Sequence, residues 1–141
     1  DFAMSHPSGS LGRRLLTLVS SIMKSGKDIP MVSKETLLID SLLVMSEKAL
    51  GMVLIAENEK LIGIFTDGDL RRALESNIDF QKLTIGDVMT KDCKSIEPQE
   101  PALTAMQMME KYSLNSLPVV DSSNNIVGAI NMHTLIQAKL F

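Results

Sequence analysis

The chain has 141 residues, 45% of them hydrophobic and 22% charged, with a formal net charge of −3 at pH 7. This is the composition of one ordinary globular domain, and without an extended basic stripe it gives no argument for a nucleic-acid partner. A single cysteine, Cys93, excludes an internal disulfide, fits a reducing, cytoplasmic setting, and with only two distant histidines forms no metal-ligand set; no run approaches the ~18–20 apolar residues of a membrane span.

In chain order, the first residues, Asp1 to His6, lack the basic and apolar regions of a signal peptide and are expected to continue from a longer protein. Ser5-His-Pro-Ser-Gly-Ser10 reads as turn and cap chemistry, and residues 11–19 follow a helix-compatible apolar pattern. Met31-Val32 is a short extended segment after Pro30. Thr36 is a plausible N-cap for a helix running to about Lys48. Leu38, Leu42, Met45 and Ala49 fall on one face of that helix, and Ile39 and Leu43 widen the stripe enough for burial on more than one side.

Two near-continuous apolar strands follow, 51–56 and 61–66, joined by a hairpin-length connection at 57–60. Such runs suit a sheet covered on both faces. A short helix starts at Asp67-Gly68-Asp69 and runs through Glu75, its acidic residues matched to the helix dipole. Arg71 and Glu75, four apart, are spaced to pair on its surface.

Residues 76–83 form a polar linker. Then come a short strand at Ser95-Ile96, a helix after Pro101 with Ala102, Ala105, Met106 and Met109 on its apolar face, strands at 116–120 and 126–131, and a closing helix at 133–140. With no Trp, one Tyr, four Phe and ten Met, the core must be aliphatic and thioether-rich. The methionines serve either as gap-fillers or as an adaptable ligand or partner surface.

These elements say nearly the same thing twice. Gly63 and Gly128 stand 65 residues apart, as do Leu70 and Leu135, and a lead-in ending in Met23 is answered by one ending in Met89. Each half reads β-α-β-β-α. A unit this short cannot easily bury its own apolar face, so the copies should stack with pseudo-two-fold symmetry in an α/β (α+β) fold, leaving a cleft between them.

This repeat, with its Gly-x-x-Thr-x-x-Asp ending at Asp69, resembles a tandem pair of CBS domains, the Bateman module. The lead-in Ser5-His-Pro-Ser-Gly-Ser-Leu-Gly-Arg-Arg-Leu-Leu16 is similar to the junction in D-arabinose 5-phosphate isomerases of the Gram-negative envelope pathway, with Ser8 where that family usually has Gly. Thr66-Asp-Gly-Asp-Leu-Arg-Arg72 is similar to the family's first CBS repeat. The resemblance implies residues 1–17 as the junction from an absent sugar-isomerase (SIS) domain, 18–78 as CBS repeat 1 and 79–141 as CBS repeat 2. It implies that the parent interconverts ribulose 5-phosphate and arabinose 5-phosphate for 3-deoxy-manno-octulosonate (Kdo) and lipopolysaccharide synthesis. His6 then matches a junction histidine of the parent's active site, where an imidazole suits general acid–base work; in this chain alone it reads as a polar residue on a tail.

The candidate ligand site is built on the strand-to-helix passage 63–69. Gly63 permits close approach of a ligand or a neighbouring backbone. Thr66 and Asp69 can face the cleft together, and a carboxylate can accept both vicinal hydroxyls of a ribose; simple N-capping is the other reading of the same residues. In the second copy Asn131 replaces Thr66 and Thr134 replaces Asp69, so the carboxylate is lost and at most one strong ribose clamp is expected. His133 is either an anion contact or a solvent-facing cap residue, and Arg71 and Arg72 either reach phosphate or lie on a solvated face. No nucleophile–base set and no Gly-x-x-x-x-Gly-Lys loop is legible, so this chain by itself is expected not to be an enzyme and to require no cofactor. The leading expectation is a regulatory nucleotide-binding module, with CMP-Kdo as effector or AMP or ATP as the alternative. The rival is a purely structural dimerisation module. A homodimer of CBS pairs, in a parent that can be tetrameric, is the expected assembly; a transporter or channel regulator is disfavoured by the junction.

Overall fold

The computed structural model describes residues 16–138; His6 and the rest of residues 1–15, most of the expected 1–17 junction, lie outside them, as do residues 139–141. The described elements are α1 (Val19–Ile22), a 3-10 turn (Gly26–Asp28), β1 (Met31–Ser33), α2 (Leu38–Lys48), β2 (Met52–Glu57), β3 (Lys60–Thr66), α3 (Asp67–Glu75), α4 (Ile85–Val88), α5 (Ala102–Lys111), β4 (Ser116–Val120), β5 (Ile126–Asn131) and α6 (Met132–Gln137).

In the first half β1 pairs parallel to β2, and β2 pairs antiparallel to β3 with a bulge at Ile55/Ala56. Both residues of the tight turn, Asn58 and Glu59, have positive φ, the backbone that lets a two-residue hairpin follow the twist of its strands. The second half repeats the plan: β4 pairs antiparallel to β5 with a bulge at Val119/Val120, and the expected strand at Ser95-Ile96 is reduced to one parallel bridge from Ile96 to Val119. Met52, Val53, Leu54 and Ile55 are fully buried, and every residue of β4 is buried, so the strands are covered on both faces as their sequence requires.

Helix α2 starts at Leu38 without a side-chain cap; Thr36 bonds to the Ser33 hydroxyl instead. Its first amides are satisfied from the linker, Leu38 N donating to the Leu83 carbonyl (2.8 Å) and Ile39 N to that of Phe80 (3.2 Å), which makes a capping residue unnecessary. The polar linker is therefore structural, and Ile78 and Phe80 pack on the first-half core. Leu38 and Met45 are buried, but Ile39 (39%) and Leu43 (66%) are exposed, so the stripe is narrower than expected. On α3 the ion pair is Arg72–Asp69 (2.5 Å); Arg71–Glu75 is not among those of the described residues.

The halves exchange their lead-ins. Residues 17–24 dock on the second half: Val19 N donates to Glu100 O, Ser20 N to Pro98 O, and Lys24 and Ala129 exchange both backbone hydrogen bonds (2.8 and 3.0 Å). Residues 83–90 dock on the first half in the same way, Thr90 and Ile64 exchanging theirs (2.8 and 3.0 Å). Val19 accordingly belongs to the second-half core with Leu117, Ile130 and Leu135, and Ile85 to the first-half core with Leu38, Ile55 and Phe65. A third cluster, including Leu50, Met52, Leu54, Ile64, Val120 and Ala129, joins the two sheets. At one end the hairpin tips clasp: Lys60 Nζ donates to Ser123 O (2.7 Å), Asn124 Nδ2 to Leu61 O (2.9 Å) and Ile126 N to Glu59 O (2.9 Å).

Candidate functional site

A cleft of about 790 Å³ opens between the halves and takes walls from both: Leu50, Gly51, Thr66, Asp69 and Arg72 from the first, Leu114, Asn115, Ser116, Asn131 and His133 from the second. Thr90, Asp92, Cys93 and Lys94 of the crossed lead-in line it as well. The volume is in the range of small-molecule sites.

The first-half wall is the N-terminus of α3. Asp69 Oδ2 accepts from the Thr66 backbone amide (2.9 Å) and hydroxyl (3.1 Å), while Asp69 N donates to Thr66 Oγ1 (3.3 Å). The pair is thus a capping box, the N-cap alternative of the sequence, and Asp69 Oδ1 is bonded by Arg72 Nη2. Arg72 lies on the cleft wall rather than on a purely solvated face. Oδ2 thus already accepts two donors, so a further donor meets this nearly buried carboxylate at Oδ1, the oxygen that Arg72 holds.

The second-half wall is different in kind. Asn131 Oδ1 accepts from both the amide (2.9 Å) and hydroxyl (2.7 Å) of Thr134, and Asn131 Nδ2 reaches across to Leu50 O (3.4 Å). Asn131 therefore faces the cleft as a cap and as a tie between halves. Thr134 is 8% exposed and does not line the cleft; its short side chain is spent on Asn131. His133 is exposed at the rim. Gly63 does not line the cleft either: the close approach that the structure displays is to a neighbouring segment, Met89 and the Thr90 carbonyl.

Ser116 is the site residue that the sequence did not mark. Buried polar side chains among the described residues are Ser41, Ser116 and Thr134. Ser41 bonds Leu37 O and Thr134 bonds Asn131, whereas no hydrogen bond of the Ser116 hydroxyl occurs among the described residues. The residue lines the cleft, where its hydroxyl can both donate to and accept from a ligand. Its signal in the sequence was positional: Ser116 stands 65 residues after Gly51, which lines the opposite wall. Tyr112 also lines the cleft, with Lys94 Nζ 4.5 Å and Lys111 Nζ 5.3 Å from its ring centroid. Burial pushes the Cys93 thiol above its ordinary range.

A second cleft, about 860 Å³, lies beside β3 and α4 and holds none of the expected site residues. Several of its polar groups are matched to one another: Lys34 with Glu57 (3.3 Å), Thr84 N with Asp87 (2.9 Å), Asn124 with Leu61 O (2.9 Å). The cleft at Thr66 and Asp69, slightly smaller, is the one that gathers the expected site residues from both halves.

Fold, duplication and cleft define a duplicated α/β module with a cleft between its halves, and the CBS domain profile matches residues 19–76 and 85–140: the chain belongs to the CBS domain family. It is similar to the arabinose 5-phosphate isomerase KdsD of Francisella tularensis (48% identical over 140 residues, 99% of this chain and 43% of that protein) and to KdsD of Pseudomonas aeruginosa (48% over 139 residues, 98% and 43%). The chain therefore spans less than half the length of these relatives. Among solved structures, the CBS domain pair of protein MJ0100, in complex with 5′-methylthioadenosine and S-adenosyl-L-methionine, matches with a TM-score of 0.75 at 25% identity, over 86% of this chain and 98% of that one. No helix of the described residues is long and apolar enough to cross a membrane.

Proposed function

We propose that this chain is the regulatory CBS module of a D-arabinose 5-phosphate isomerase, and that the cleft at Thr66 and Asp69 binds a nucleotide whose occupancy is passed to an attached SIS domain. The observation that carries the ligand-binding part is the convergence on one cleft of the Asp69 carboxylate, whose Oδ1 is held by the exposed Arg72, and the Ser116 hydroxyl, which bonds no other described residue. The parent's identity is supported by the 48% identity to KdsD proteins. A nucleoside-containing ligand is supported by the adenosine-derived ligands of the MJ0100 pair.

The roles follow from the geometry. Asp69 accepts the vicinal hydroxyls of a ribose, Thr66 holds that carboxylate in place, and Ser116 bonds an edge of the ligand. Asn131 ties the walls together and His133 meets the ligand's exposed end. CMP-Kdo acts as a feedback effector in this reading, with AMP or ATP as the alternative; the parent would operate in the cytoplasm in Kdo supply. Regulation requires that the ligand bind the active and inactive arrangements unequally.

Titration calorimetry of this chain with CMP-Kdo, CMP, AMP and ATP tests the reading. Binding of at least one, weakened about tenfold or more by Asp69→Asn, supports it; no binding of any at millimolar concentration sinks it. The second reading, a structural homodimer of CBS pairs, is favoured by exposed apolar residues on three helices, Leu43, Leu74 and Ile136. It prevails if Asp69→Ala leaves both the association of this chain and the regulation of the full-length isomerase unchanged.

A further inference from the structure

The same charged pair that caps the site also obstructs it, and this sets what the site can accept. Asp69 is held from two sides: Oδ2 by the Thr66 amide and hydroxyl, Oδ1 by Arg72 Nη2. The side chain of Asp69 is 16% exposed and that of Arg72 70% exposed, so the carboxylate is fixed in the wall and the guanidinium is the partner free to leave. Arg72 also folds back over the N-terminus of α3: a Cβ built on Gly68 would lie 3.6 Å from Nη2 and 3.7 Å from Nη1. A cation there opposes the positive end of the helix dipole and stands where an anionic group would otherwise be favoured. The second repeat lacks both members of the pair together, with Thr134 in the register of Asp69 and Gln137 in that of Arg72.

Resting on the nucleotide-binding reading above, we propose that Arg72 is an internal competitor for the ribose clamp and thereby makes the cleft select phosphorylated nucleosides over nucleosides. A ribose that approaches Asp69 Oδ1 displaces the guanidinium. When the ligand is a nucleoside, Arg72 loses a charge-assisted hydrogen bond and gains only water. When the ligand carries a phosphate, the released guanidinium has a planar fork with which to pair it, and it leaves the helix N-terminus clear for the same anion. Competition and reward are carried by one side chain, so the cost of opening the clamp is offset only by a ligand that brings its own anion.

The proposal requires a change of opposite sign for two ligands. Calorimetry of this chain with adenosine, AMP, cytidine and CMP is compared for the native protein, Arg72→Ala, Arg72→Gln and, as a neighbour control, Arg71→Ala, with thermal unfolding confirming that each variant folds. In both Arg72 variants the nucleoside is expected to bind about 2–5-fold tighter, the scale of an ion pair with an exposed partner, while the monophosphate binds at least about 5-fold weaker; Arg71→Ala changes neither ratio. Equal weakening of nucleoside and monophosphate, no change in either, or tightening of both overturns the competitor role and leaves the nucleotide-binding reading standing. If the native chain binds none of the four at millimolar concentration, the two fall together.

Discussion

Met89 stands over Gly63 so closely that a Cβ built on the glycine would lie 2.5 Å from the thioether sulfur and 3.1 Å from the Thr90 carbonyl oxygen. Met23 meets Gly128 in the same way, with the Lys24 carbonyl 2.9 Å from the notional Cβ. The paired glycines that mark the duplication are thus sockets for the paired methionines, and each methionine is carried in by the lead-in of the opposite repeat.

Gly63→Ala should destabilise the chain by about 1–3 kcal/mol, the usual cost of overpacking a filled site. The Met89 side chain can move, but the Thr90 carbonyl is backbone that accepts from the Ile64 amide, while the Thr90 amide donates to the Ile64 carbonyl. Denaturant midpoints for Gly63→Ala, Met89→Ala and the double variant should show a coupling well above the few tenths of a kcal/mol expected of independent sites. Additive effects would refute the socket.

Ile85 is fully buried in the first-half core although it opens the second repeat. Ile85→Ala should cost about 2–5 kcal/mol. In native-state hydrogen exchange, the amides of β2 and β3 should lose protection at least as much as those of β4 and β5. Loss confined to the second half would contradict the exchange of lead-ins.

Asp121 sits in the turn that clasps the first hairpin. Hydrogen bonds from the backbone and side chain of Asn125, with the Ser123 amide and the charge of Lys60 behind them, hold its carboxyl below the ordinary value of 3.8. A folded-state value below the unfolded one gives a contribution that is full above 3.8 and is lost as pH falls through the lowered value. Asp121→Ala should therefore lower the unfolding midpoint at pH 7 and change it progressively less below about pH 4. A difference that persists undiminished at pH 2 would exclude the ionised carboxylate as the cause.

Cys93 lines the cleft with its thiol pushed up by burial. Since the thiolate is the nucleophile, alkylation by iodoacetamide at pH 7.5 should be slower than that of a free cysteine. A bound nucleotide should slow it further. A rate equal to that of free cysteine would mean that the thiol is not shielded as the structure places it.

The sequence by itself determined the duplication, the element order and the asymmetry of the two helix starts. These are local matters: apolar runs dictate buried strands, and Thr66 with Asp69 against Asn131 with Thr134 is legible letter by letter. It misplaced a helix cap: Thr36 looked like one because the linker carbonyls that replace it lie more than forty residues away. Of the two readings of Gly63, the structure displays the approach of a neighbouring segment, Met89 and Thr90 from the other repeat, and the Thr134 hydroxyl is bonded to Asn131. Only the tertiary structure decided which half each lead-in stabilises, that the Ser116 hydroxyl bonds no other described residue, and that Arg72 holds Oδ1 of Asp69. Each of these depends on contacts between segments far apart or on the direction a side chain takes, and periodicity along the chain encodes neither.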